Sequence, residues 1–223
     1  MEFRWQQTVR LVAALGALTL AGCGPQKVVP QRDVDVCRGA RWQTMPGDGM
    51  APTVLARESL AWVSYDGART PRVGDVVIFR VGDGADDVHV SRVVGVGPSE
   101  VTFVDHLLVS SGQDRIEHAA PVAACLASPS DSTCRVFEES VVGDSHRAWR
   151  VQRHVVSDAD NHQPFGTWSV PAAHVFVAGD NRVVSQDSRV GPRGHGRPLP
   201  RSALLGRVVA VQRDGRCAPQ LGT

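Results

Sequence analysis

Lysine is nearly missing from this chain of 223 residues. Lys27 is the only one, although Lys and Arg together number 24. Basic side chains are therefore almost all guanidinium groups, which stay protonated and cannot accept a proton at neutral pH. Any mechanism that needs a neutral amine is left with Lys27. Long apolar runs are missing too. The longest charge-free apolar stretch, Leu11 to Leu20, falls well short of the roughly 20 residues that cross a bilayer. No excess of one charge exists: the formal net charge is +1, which gives no argument for nucleic acid or for an acidic partner. No Cys-x-x-Cys occurs and the eight histidines are scattered, so no metal site is expected, and no cofactor. There is no internal repeat.

Glycine and proline are plentiful, and valines recur in short runs between turn residues. This predicts a mostly β fold with little helix. Strands are expected at Ser59 to Ser64, Asp75 to Val81, His89 to Val96, Glu100 to Val104, about Arg150 to Val156, His174 to Ala178 and Leu204 to Arg213. Tyr65-Asp-Gly-Ala and Gly82-Asp-Gly read as turns, and Asp160 to Gly166 as a loop.

Residues 1–22 read as an export signal. Arg4 and Arg10 supply a positive start, the apolar run follows, and Leu20-Ala21-Gly22-Cys23 is a lipobox. Its use would leave Cys23 as a lipid-bearing N-terminus, with each buried CH₂ contributing about 0.8 kcal/mol to membrane attachment. Residues 23–36 then form a polar tether. Gly24, not an aspartate, follows the lipid cysteine and resembles the pattern sorted outward in many Gram-negative cells. The expected place is the cell envelope, facing the periplasm or exterior. Four cysteines remain, and they allow three pairings. Cys125–Cys134 across a short loop and Cys37–Cys217 across the ends of the core are expected, with buried free thiols as the alternative.

One stretch organises the rest: Phe176-Val-Ala-Gly-Asp-Asn-Arg-Val-Val-Ser-Gln-Asp-Ser-Arg189. An apolar strand runs into a turn at Gly179, where Asp180 and Asn181 can bond their own backbone. Arg182, Asp187, Ser188 and Arg189 follow, and opposed carboxylates and guanidinium forks this close hold a loop in one shape. A solvated hairpin loop is the plainer reading. The stretch resembles the GDNR-x-x-S-x-DSR box of type I signal peptidases, the membrane-associated serine endopeptidases that remove export signals. Pro46-Gly-Asp-Gly-Met-Ala-Pro-Thr53, Val73-Gly-Asp-Val-Val-Ile-Phe-Arg80 and Arg92-Val-Val-Gly95 match the same family in order. Pro200-Arg-Ser-Ala-Leu-Leu-Gly-Arg207 looks like its last core strand entry. The resemblance spans roughly Arg41 to Gln212. It implies an antiparallel β core, 37–105 with 169–217, a smaller β domain inserted at 106–168, and a tail at 218–223.

The resemblance also locates a reaction centre, and there the match fails. The family's first box reads Pro-Ser-Gly-Ser-Met-x-Pro-Thr. Pro46, Met50, Pro52 and Thr53 keep register, but Gly47 stands at the serine that lends a hydroxyl to the oxyanion hole and Gly49 at the nucleophile. Glycine has no atom that can form an acyl-enzyme. The family's general base is a lysine directly before Arg-Val-x-Gly, and Ser91 stands there. Ser185 matches the serine that orients that lysine, and without it reads as a plain loop hydroxyl. His89 shares a strand face with Ser91, so a relocated His89–Ser91 pair is one rescue. Asp48 beside Gly49, acting on water, is another. The expectation is an inactive, lipid-anchored relative that binds extended peptides or an envelope protein. The alternatives are an active peptidase with relocated groups and a structural envelope lipoprotein.

Overall fold

The computed structural model describes residues 36–65, 69–82, 87–125, 133–154, 166–189 and 197–219. The expected export signal, Cys23 and nearly all of the tether lie outside the described residues. So do most of the Asp160 to Gly166 loop and the centres of the two expected turns at 66–68 and 83–84. The described residues hold strands and turns, one 3-10 turn at Arg201–Ala203, and no α-helix.

The strands form two antiparallel sheets. The first contains β1 (Arg41–Thr44), β2 (Ser59–Ser64), β3 (Val76–Arg80), β4 (Val88–Val96), β12 (His174–Ala178), β13 (Leu199–Pro200), β14 (Leu204–Arg213) and β15 (Arg216–Pro219). Its order is β1-β2-β14-β3-β4-β12-β13, and β15 pairs with β14. The second contains β5 (Ser99–Val104), β6 (Leu107–Ser111), β7 (Asp114–His118), β8 (Ala123–Ala124), β9 (Cys134–Val141), β10 (Asp144–His154) and β11 (Gly166–Val170). Its order is β10-β9-β7-β6-β5-β11, with β8 on β9. Glu100 to Val104 thus lies in the second sheet, turned away from β4 at the tight Gly97–Pro98 corner. At Gly97 even a β-carbon would lie 1.8 Å from the Pro171 carbonyl oxygen. β15 carries pairing as far as Pro219.

Alternation along the strands builds three apolar clusters. Met50 and Val54 from the loop before β2 pack on Leu60, Val76, Ile78 and Val208, covering one end of the first sheet's inner face. The other end of that face, with Val94, Phe176 and Ala178, packs against Phe103, Leu108, Phe137 and Trp149 of the second sheet. On the opposite face Val77, Phe79, Val93, Val175, Val177 and Leu199 form a third cluster.

Both expected disulfides are present, Cys37–Cys217 and Cys125–Cys134. The first closes 180 residues. On chain-entropy grounds a loop that long destabilises the unfolded state by about 5 kcal/mol.

Candidate functional site

The 176–189 stretch is not a solvated hairpin loop. Asp180, Asn181, Arg182, Ser185, Asp187, Ser188 and Arg189 are all buried. Buried charges need partners, and three guanidinium–carboxylate pairs supply them. Arg189 forks onto Asp187, with Nε 2.9 Å from Oδ1 and Nη2 2.7 Å from Oδ2. The other two pairs reach across the chain. Arg92 of β4 forks onto Asp180 at 2.8 and 2.7 Å and donates to the Gly74 carbonyl at 2.7 Å. Thr53 donates its hydroxyl proton to Asp180. Arg182 donates to Glu139 of β9 at 2.6 Å. Glu139 also accepts the Trp149 indole N–H at 2.8 Å and the Leu108 amide at 3.0 Å. Met50 and Thr53 therefore have structural roles: Met50 fills the core beneath the loop, and Thr53 ties it to the buried carboxylate.

Ser91 and Arg92 are neighbours on β4, so they face opposite ways. Arg92 enters the ion network. Ser91, also buried, stands opposite Val77 on the other face. The β4–β12 ladder pairs Val93 with Val177 and Arg92 with Ala178. The described ladder ends at that pair, one residue short of Ser91 and Gly179. Gly179 is where the remaining groups meet. A β-carbon there would come within 2.3 Å of the Ser185 β-carbon and 2.4 Å of the Gly49 carbonyl oxygen. Only glycine permits that approach. The Gly49 carbonyl in turn accepts the Asn181 amide at 3.0 Å. The loop bearing Gly47 and Gly49 is thus fastened to the turn bearing Ser185, with Ser91 on the adjoining strand.

At the two positions where the family's first box carries serines, Gly47 and Gly49, space is left. A β-carbon on Gly49 would have ordinary contacts with Ser185, the shorter 3.8 Å, and one on Gly47 would touch nothing within 4 Å. Neither residue is in the left-handed region. Glycine is not required at either place by backbone or packing. Both backbones would admit a β-carbon.

Ser185 is more than a plain loop hydroxyl. It donates to Asp187 Oδ2 at 2.5 Å and accepts from Arg189 Nη2 at 2.9 Å. Its hydroxyl is thus held between a carboxylate and a guanidinium of its own stretch. Burial alone would push the Asp187 carboxyl up. The Arg189 charge and its hydrogen bonds, with those from Ser185 and the Gly179 amide, outweigh it and hold the carboxyl below the usual range. Asp187 is a fixed anion and a poor proton acceptor.

His89 lies on the Ser91 face of β4, but Cα atoms two residues apart on a strand are about 6.5–7 Å apart. Its ring stacks on Phe79 with centroids 5.7 Å apart, and Nε2 is 2.9 Å from Asp87 Oδ1. Asp48 accepts the Ala56 amide at 3.0 Å, which steadies the loop.

Beyond the end of β12, no described strand runs along Val88–Ser91 on the side away from β3. A void no larger than about one water molecule lies nearby, lined by Phe79, Val81, His89, Val177, Ser188 and Leu199. An extended chain laid on this edge would pass Ser91.

Arg92, Glu139 and Trp149 were not legible as site residues from their motif alone. A signal did exist for Glu139. In Phe137-Glu138-Glu139-Ser140-Val141 it shares a strand face with Phe137 and Val141, and an acid on an apolar face calls for a buried base.

A model of the family described as signal peptidase, peptidase S26, matches residues 38–212. Signal peptidase I of Pseudomonas fluorescens is similar to this chain, with 29% identity over 148 residues. The match covers 63% of this chain and 49% of the relative, so the chain spans about half the length of the curated relative it matches. The match of the family model across most of the sequence, together with the two-sheet β architecture, establishes that the chain belongs to the signal peptidase family, peptidase S26.

Proposed function

We propose that this chain is a catalytically inactive signal-peptidase-like protein, lipid-anchored at Cys23 to the cell envelope, that binds extended peptides at the β4 edge. The observation that carries the reading is the pair of open positions at Gly49 and Gly47, combined with Ser91 in place of an amine. Every supporting part of the site is fastened by buried hydrogen bonds, yet neither nucleophile nor base is in place. Losing either member of such a unit costs about 10⁶ in turnover, and positioning alone leaves roughly 10³–10⁴ over water. That residue of catalysis is too slow to process exported chains.

Peptide holding does not need the missing groups. Strand addition uses backbone hydrogen bonds for affinity and shallow pockets for side-chain choice. The Val88–Ser91 edge offers the first. The test is titration of the purified protein with a labelled extended peptide carrying small residues, followed by anisotropy. Saturable binding that is lost on Val90→Pro is expected: Val93 bonds toward β3, alternation turns the Val90 amide to the opposite side, and proline removes that donor. Lack of saturable binding by a folded protein would remove the peptide-binding part and leave a structural envelope lipoprotein.

A further inference from the structure

We propose that the Cys37–Cys217 disulfide is a redox-sensitive latch on the loop that carries Gly47 and Gly49. The loop between β1 and β2, 45–58, contains no strand and is held from two sides. On the N-terminal side it continues directly from β1, a four-residue edge strand whose side chains are mostly exposed. Cys37 lies just before β1, in a turn closed by the Ala40 amide on the Cys37 carbonyl at 3.2 Å. On the other side Arg213, the last residue of β14, clamps the loop. Its Nε donates to Glu58 at 2.7 Å and its Nη2 to the Thr53 carbonyl at 2.7 Å. Glu58 then caps the Leu55 amide at 2.8 Å. Arg213 pairs with Arg216 at the β14–β15 hairpin, and Cys217 follows at once. The disulfide therefore joins the two anchors of one loop, and opening it frees both.

The bond is also placed to be opened selectively. Cys37 and Cys217 are half-exposed, whereas Cys125 and Cys134 are buried at 1% and 2%. Exchange needs access for the attacking thiolate. The co-reactant is a dithiol reductant. One of its sulfurs attacks the Cys37–Cys217 bond to give a mixed disulfide and one cysteine thiol. Its second sulfur then displaces the other cysteine. Two electrons and two protons pass to the protein, and the reductant leaves as a disulfide. Loop release stands on these contacts alone. A consequence for peptide affinity rests on the proposed function.

Hydrogen exchange of the full chain tests the latch, with mild dithiol reduction and alkylation mapping to verify which bond opened. On reduction of Cys37–Cys217, the hydrogen-bonded loop amides of Ala51, Val54 and Arg57 should exchange about 10-fold faster or more, while those of Cys134–Val141 stay protected. Arg213→Gln should show the fast loop already when oxidised, with little further response to reductant. The Cys37→Ser/Cys217→Ser double variant should match the reduced protein. Unchanged loop exchange after verified reduction would overturn the proposal, as would equal loss of protection across both sheets. If the loop loosens while a bound peptide's affinity stays the same, the latch stands and the site assigned to the peptide is wrong.

Discussion

Gly49 and Ser185 are in van der Waals contact range: a β-carbon on Gly49 would stand 3.8 Å from the β-carbon of Ser185. A side chain at Gly49 would therefore meet Ser185 at ordinary contact distance. Gly49→Ser should fold, with stability within about 1 kcal/mol of the parent, because the backbone is already acceptable to an L side chain. Adding Gly47→Ser and Ser91→Lys should produce measurable but modest hydrolysis of a signal-bearing precursor. Ser91 is buried, so a lysine there would have a lowered pKa and be able to accept a proton. A folded triple variant with no hydrolysis would mean that the cleft no longer seats a substrate.

Gly179→Ala is the matching negative control. Its β-carbon would overlap the Ser185 β-carbon at 2.3 Å and the Gly49 carbonyl at 2.4 Å. Forcing the two segments apart should cost about 2–3 kcal/mol, read as a lowered denaturant midpoint. A neutral outcome would mean the turn and the loop are not tightly joined.

Glu139 should behave as a buried counter-ion. Glu139→Ala removes the carboxylate that the buried Arg182 guanidinium pairs with, leaving it the His106 carbonyl, and should destabilise by about 3–5 kcal/mol. The double replacement Glu139→Leu with Arg182→Met should cost clearly less than the sum of the singles. Additive losses in urea unfolding would deny the coupling.

How much of this was legible in the sequence differs from element to element. β2, β12 and β14 appear at the residues their apolar alternation predicts, because each packs one or both faces against a sheet or loop. The four charges of the 180–189 stretch looked like one local network. Only Asp187 and Arg189 pair locally. Asp180 and Arg182 find partners 88 and 43 residues away, and no local pattern encodes a contact made by the meeting of two sheets. Gly49 is the converse case. Its meaning came wholly from its place in the box, and the structure adds that a side chain there would be tolerated.

Acid should weaken the fold through Asp187. Its carboxyl is held below the usual range in the folded protein and titrates near 3.9 when unfolded. A depressed folded value contributes stability that is present above the unfolded value and is lost as pH falls through the folded one. Asp187→Asn should therefore be markedly less stable than the parent at pH 7. The difference should shrink as pH drops below about 4. A gap that stays constant from pH 7 to 3 in thermal melts would show that the ionised carboxylate is not what Arg189 and Ser185 hold.

The most direct measurement is incubation of the purified protein with a signal-bearing precursor and, separately, with a penem inhibitor, followed by intact-mass spectrometry. The expected result is full-length precursor and an unmodified protein mass, since no hydroxyl stands at Gly49 and no amine at Ser91. Precursor cleavage at ordinary peptidase rates, or a covalent adduct on any side chain, would contradict it.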